Sequence, residues 1–309
     1  MKKAIVSGAN GFIGSAVVRE LHKRNIDVVA LVHQETDMLS EQINTIAYNI
    51  DKPFNVLCEE KALQGCDVYF NFAWQHVIGE LQSDPIAQLS NVAGCMEQIK
   101  LCKRIRCHTF INAGCIFENA PIYTDYTDKI LLPSGQLIYG SAKLAAKHMG
   151  IALAKSLDLN FIQGTITNAY GPREKKDRFI KTTLKKIVCG EPLQFSAVTQ
   201  LHDFIYIDDV ARAFCAIAES KNTYTNLIIG SGHAKPLLAY INEILDVCKK
   251  DLKVTPEFEA VGFSGLNLAE SCFDTKTLND LGFEPIVDFR EGITSTMNWL
   301  KADLMRRWY

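Results

Sequence analysis

The chain has no dominant sign of charge: 33 Lys and Arg stand against 35 Asp and Glu, a formal net charge of −2 over 309 residues. No basic run dominates a segment, so charge gives no argument for nucleic acid or for an anionic membrane as partner. An anionic ligand has to be held by local groups. Long apolar runs are missing too. Nothing approaches the roughly 18 consecutive apolar residues of a membrane span. The N-terminal MKKAIVSGANGF offers only Ala4, Ile5 and Val6 before Ser7 and Gly8, too little for the core of a secretory signal. The ten cysteines lie at 58, 66, 95, 102, 107, 115, 189, 215, 248 and 272 with no CxxC and no metal-type spacing. They read as reduced thiols of a cytoplasmic protein, with no metal site expected. Repeats, linkers and low-complexity stretches are also absent, so the segments are expected to pack together without a free hinge.

What is present is an alternation of short β-branched runs and amphipathic stretches. Residues 3–7 predict a strand ending in glycines, and 12–23 a helix with Phe12, Ile13, Ala16, Val17 and Leu21 in period. Further strands are predicted at 27–32, 45–50, 68–73, 109–113 and 160–166, with helices at 91–104 and 139–156. Such βα alternation specifies α/β architecture, a Rossmann-type, doubly wound parallel sheet with helices on both faces. Beyond 168 the pattern loosens into a Gly171-Pro172 turn, a basic helix near 178–189, a run at 203–207, a strand at 226–229 and helices at 237–249 and 291–305. The expected division is an NAD(P)-binding domain over 1–167 with about 200–230, and a smaller C-terminal α+β substrate-binding domain from 168–199 and 231–309.

Gly8, Gly11 and Gly14 give the spacing GxxGxxG, which chance would produce roughly 0.07 times in such a chain. Its place between a predicted strand and helix sharpens it, because glycines there let backbone approach a pyrophosphate and the first-turn N–H groups meet its charge. Gly8, Asn10, Gly11, Phe12, Ile13 and Gly14 are therefore candidate dinucleotide contacts. The second strand ends Leu31-Val32-His33-Gln34, without the carboxylate that holds an adenosine ribose, and Asp37 lies past its predicted end. Loss of that acid removes a repulsion against a 2′-phosphate and shifts the expectation from NAD toward NADP, with His33 as a weak phosphate contact. Tyr139 and Lys143 form YxxxK at a helix start, on one face at i, i+4. A lysine cation beside the phenol favours the phenolate, which makes Tyr139 a candidate general acid or base for a carbonyl/alcohol couple.

With these motifs in place the chain resembles an extended short-chain dehydrogenase/reductase of the NAD-dependent epimerase/dehydratase family, which acts mostly on nucleotide sugars. Asn71-Phe72-Ala73-Trp74 is similar to the family's H-L-A-A, Asn91-Val92-Ala93-Gly94 to N-V-x-G, and Asn168-Ala169-Tyr170-Gly171-Pro172-Arg173 to N-V-Y-G-P-R. The segment 202–210 is similar to R-D-F-I-Y-V-D-D-V, and 281–285 to L-G-W-x-P. The resemblance implies Tyr139 as catalytic acid/base, Lys143 on the nicotinamide ribose, and Phe72, Ala73, Trp74 and Asn91 at the cofactor. It puts Asn49, with Ile50, where an adenine-binding Asp is frequent, and Asn168 near the substrate. It also implies a homodimer through the helices that begin near Asn91 and Tyr139.

Departures from the family narrow the chemistry. Ala113 stands at the position of the usual catalytic Ser or Thr, leaving Cys115 as a weak substitute donor. Ala113-Gly114-Cys115 replaces the T-D-E of sugar dehydratases and removes the acid and base of water elimination, which argues against a dehydratase. His202 replaces an Arg that meets the substrate pyrophosphate and loses its bidentate fork, with Arg178, Lys181 and Lys185 as compensating cations. The resulting expectation is an NAD(P)-dependent enzyme reducing or epimerising a nucleotide-linked sugar, a 4-ketoreductase ahead of a 4-epimerase. A reductase of a small non-nucleotide carbonyl and a catalytically inactive NAD(P)-binding sensor or scaffold are the alternatives.

Overall fold

The computed structural model describes residues 1–33, 42–48, 54–124, 134–196, 198–220, 225–258 and 267–308. Strands β1 (Lys3–Ser7), β2 (Asp27–Val32), β3 (Asn44–Ala47), β4 (Val68–Asn71), β5 (Thr109–Cys115) and β6 (Asn160–Ile166) follow in sequence, then β7 (Asn168–Tyr170), β8 (Phe204–Tyr206) and β9 (Asn226–Ile229). Between and after them run α1 (Phe12–Lys23), α2 (Pro85–Arg104), α3 (Ser134–Ser156), α4 (Phe179–Cys189), α5 (Ile207–Glu219), α6 (Leu237–Val247) and α7 (Phe289–Trp308). The main sheet has the order β9-β6-β5-β4-β1-β2-β3 with every neighbouring pair parallel. This is the doubly wound dinucleotide-binding sheet with one strand added beyond β6. The order reverses between β1 and β4, so their carboxyl ends frame the crevice in which such sheets bind ligands.

Packing explains why the central strands read as unbroken apolar runs. In β2, Val28, Ala30 and Val32 join the same core cluster as Val17 and Leu21 of α1 and Phe214 of α5, whereas Val29 and Leu31 join Val92 and Ile99 of α2 and Ala146 of α3. Successive side chains thus bury on opposite faces, each covered by a helix layer. Buried carboxylates tie the later segments to this frame. Asp209 of α5, with no exposure, accepts from Val287 N at 3.0 Å, from Ile286 N at 3.2 Å and from Arg212.

Several elements differ from the sequence expectation for identifiable reasons. Helix α2 begins at Pro85 rather than 91, because Asp84 caps it, accepting from Ile86 N at 2.7 Å and Ala87 N at 3.0 Å with Pro85 at the first helical position. Helix α3 begins at Ser134, five residues before Tyr139. Strand β3 covers 44–47 instead of 45–50, and Asp37, Asn49 and Ile50 lie outside the described residues. The run 203–207 divides: three residues pair as β8 with β7, and Ile207 opens α5, a helix not assigned from sequence.

Candidate active site

The glycine loop is built by close approach. Gly8 has φ +69°, and a Cβ there would sit 2.7 Å from Ala73 N and from Phe72 C, so the loop lies against the chain leaving β4. A Cβ on Gly14 would sit 2.2 Å from Gly8 O. Gly11 N donates to Gly8 O at 2.9 Å, and α1 starts at Phe12 without a side-chain cap, leaving its first-turn N–H groups for a ligand. Gly8, Asn10, Gly11, Phe72, Ala73 and Trp74 line a cavity of about 640 Å³ that His33, exposed at the end of β2, and Tyr48 close. Gly8, Gly11, Phe12, Ile13, Gly14, Phe72 and Trp74 also line an adjoining cavity whose far wall is Ala113, Cys115, Tyr139 and Lys143. A cradle that tolerates no Cβ at an open helix N-terminus fits the pyrophosphate of a dinucleotide. Asn91 serves differently from the expectation. It is 1% exposed on α2, and its amide is spent on Gln75 N at 2.7 Å, Gln75 O at 3.1 Å and Ala87 O at 3.2 Å, supporting the cavity wall without lining it.

Tyr139 and Lys143 project from the second and third turns of α3 toward the carboxyl end of β5. The Lys143 ammonium donates to Ala113 O at 3.0 Å and lies 3.8 Å from the centre of the Trp74 ring, whose N–H donates to Gln88 Oε1 at 2.9 Å. It has no ion-pair partner among the described residues. Burial lowers its pKa from the ordinary lysine value, with the neighbouring Cys115 and Glu118 opposing. Its Nζ is 6.0 Å from the Tyr139 ring centre. Burial, then the adjacent Cys115 thiol, holds the Tyr139 phenol well above its usual pKa. That direction favours the protonated phenol, although the nearby Arg178 cation opposes it. Burial also raises Cys115, which stays a thiol.

Cys115, Tyr139, Arg178, Asn168 and His202 come together around a further cavity of about 340 Å³, continuous with the previous one through Cys115, Tyr139 and Arg178. Asn168 Nδ2 donates to Asp203 O at 3.4 Å. His202 stacks on Phe204 with ring centres 5.5 Å apart, and its Nδ1 has no hydrogen-bond partner among the described residues. Burial lowers its pKa, against backbone hydrogen bonds to Leu201 and Gln200 that raise it, which disfavours the charged imidazole. Sequence reasoning missed Glu174, 4% exposed and lining both cavities, with Oε1 accepting from Lys176 N at 3.1 Å and Oε2 3.8 Å from Arg178 Nε. Burial raises its pKa. An acid directly after the Gly-Pro-Arg turn was the available signal.

One cleft along the carboxyl edge of a doubly wound sheet, with a glycine cradle at one end and a Tyr-Lys pair at its middle, defines a nicotinamide-dinucleotide enzyme scaffold. The chain belongs to the NAD-dependent epimerase/dehydratase family, whose model matches residues 4–230. It is an enzyme of that NAD-dependent oxidoreductase/epimerase type. It is similar to the CDP-abequose synthase of Salmonella typhimurium strain LT2, 24% identical over 310 residues that cover 96% of this chain and 97% of that protein. Its fold matches the UDP-glucose 4-epimerase of Thermotoga maritima solved with UDP-glucose, with a TM-score of 0.80 and 19% identity over 98% of this chain and 99% of that one. It also matches the UDP-glucose 4-epimerase of Thermus thermophilus solved with NAD, with a TM-score of 0.77 and 18% identity over 97% and 99% of the two chains. No described helix is long and apolar enough to cross a membrane.

Proposed function

We propose that the chain is an NADPH-linked 4-ketoreductase of a nucleotide sugar. The observation that carries this reading is the place of Tyr139 on both the cavity lined by the glycine cradle and Lys143 and the cavity edged by Arg178 and Lys181. Backbone N–H groups around Gly8, Asn10, Gly11, Phe12, Ile13 and Gly14 hold the dinucleotide pyrophosphate, and Phe72, Ala73 and Trp74 wall its cavity. The bound dinucleotide supplies the hydride from its nicotinamide ring. Tyr139 gives its phenolic proton to the sugar carbonyl oxygen as that oxygen gains charge, and the Lys143 ammonium stabilises the phenolate left behind. A phenol kept protonated by burial suits reduction, since oxidising an alcohol would first need a base. The relatives, a synthase of a CDP-linked sugar and an epimerase of a UDP-linked sugar, support a nucleotide sugar here.

The lack of an acid through Val32 and His33 supports NADPH over NADH, and net reduction with cofactor exchange favours the ketoreductase over the 4-epimerase. Burial of His202, which disfavours its charged form, favours a second reading, a reductase of a small non-nucleotide carbonyl. Residues 168–199 and 231–309 form the substrate-binding part in this proposal, and 1–167 with about 200–230 the NAD(P)-binding part. Exposed Ile86 and Leu89 of α2 and Met149 of α3 support a homodimer through these helices. Ten cysteines outside any disulfide support a cytoplasmic location. The test mixes the protein with NADPH and a panel of nucleotide 4-keto sugars and follows the absorbance of reduced nicotinamide. Stoichiometric loss supports the proposal. Interconversion of 4-hydroxyl epimers without net loss identifies an epimerase, and no turnover of any panel member overturns both.

A further inference from the structure

Ser7, Asn71, Asn112 and Gln163 occupy one register row across the neighbouring strands β1, β4, β5 and β6, and all four are buried. Their hydrogen bonds run one way. Ser7 Oγ donates to Asn71 Oδ1 at 2.9 Å, Asn71 Nδ2 to Asn112 Oδ1 at 2.8 Å, and Asn112 Nδ2 to Gln163 Oε1 at 2.9 Å. Gln163 Nε2 then donates to Glu118 Oε1 at 2.7 Å. Glu118, 2% exposed in the turn after β5, ends the row. Its Oε1 also accepts from Cys115 N at 2.9 Å, and its Oε2 lies 3.8 Å from Lys147 Nζ of α3.

An ionised carboxylate can only accept, so Gln163 must turn its amide nitrogen toward Glu118, and each amide behind it must follow. The orientation carries back to Asn71 Oδ1, which accepts from Ala73 N at 3.2 Å and so fixes the turn that sets Trp74 on Lys143. Gly114 leaves room for this junction. A Cβ there would lie 2.5 Å from both Gln163 Nε2 and Glu118 Oε1. The groups facing Glu118 are Lys143 and Lys147 of α3, Cys115 of β5, and Tyr139.

We infer that Glu118 is a positioning residue of this site: as a carboxylate it orients the cross-strand row and supplies the negative charge that balances the buried Lys143 ammonium. The inference rests on the reading of Tyr139 and Lys143 as the reacting pair. Burial raises the Glu118 pKa above its ordinary value, and the two N–H donors with the two lysines hold that rise in check.

The experiment titrates Lys143 in ligand-free protein by NMR of 13C-labelled lysine, with the resonance identified by its loss in Lys143→Met. In Glu118→Gln, of nearly the same shape, the Lys143 midpoint should fall by about one pH unit, and the alkaline limb of turnover should move with it. An unmoved Lys143 midpoint overturns the inference, since a purely structural role would leave it in place. If Glu118→Gln does not fold, the wild-type protein decides. Equal Glu118 carboxyl C–O lengths in an atomic-resolution structure near neutral pH support the inference, and the unequal lengths of a protonated acid overturn it. If no nucleotide sugar is turned over, the reductase reading fails while the lysine titration still judges Glu118.

Discussion

Substituting Gly140 by alanine separates helix propensity from site geometry. Gly140 follows Tyr139 on α3, and a Cβ there would lie 2.2 Å from Phe117 O and 3.1 Å from Phe117 C, backbone atoms that cannot swing aside. A normal contact needs well over 3 Å, so the start of α3 and the turn after β5 must separate by roughly 1 Å. Alanine gains about 1 kcal/mol of helix propensity over glycine, whereas forcing a methyl group into a packed site costs about 1–3 kcal/mol. The clash therefore equals or exceeds the gain, and a loss of up to about 2 kcal/mol lowers Tm by several degrees in a chain of this size. The larger effect falls on rate. Displacing a proton donor by about 1 Å costs on the order of 100-fold, while the glycine cradle, across the cavity at the end of β1, keeps its dinucleotide affinity. Thermal unfolding, calorimetric titration with dinucleotide and steady-state turnover on one preparation separate these effects. A Gly140→Ala protein with raised Tm and wild-type turnover would refute this reasoning, because α3 would then not be held against Phe117 at the distance on which Tyr139 depends.

Calorimetric titration should find NADPH bound at least as tightly as NADH, since Val32 and His33 bring no carboxylate to repel a 2′-phosphate; clearly tighter NADH would count against it. Light scattering at micromolar protein should give twice the chain mass, from pairing of the α2 and α3 faces that expose Ile86, Leu89 and Met149, and a monomer mass would contradict that.

The first half of the fold was legible in the sequence because its central strands β1, β2, β4, β5 and β6 are buried along most of their length and so read as apolar runs. Strands β1, β2 and β6 and helix α1 fall where their residues predict. Helix α5 was not legible, because the run leading into it continues without a break from β8 and only its pairing with β7 ends the strand at Tyr206. Tyr139 and Lys143 could be read from their spacing, yet the protonation of the phenol could not, since it depends on burial by residues distant in sequence such as Trp74 and Phe117. Glu118 shows the same limit. No local pattern announces that an acid after β5 will meet Gln163, 45 residues further on, and only the parallel register of β5 and β6 brings it to the end of a polar row.

Tyr139 as the proton donor in a hydride-transfer reduction is the central claim. The direct measurement is the rate of reduced-nicotinamide loss with a nucleotide 4-keto sugar in wild type and in Tyr139→Phe, with dinucleotide affinity determined on both. Turnover should fall by roughly 100-fold or more, the range for a lost general acid, at nearly unchanged affinity. Full turnover in Tyr139→Phe would contradict the claim and leave the chain a dinucleotide-binding protein whose tyrosine plays no part in proton transfer.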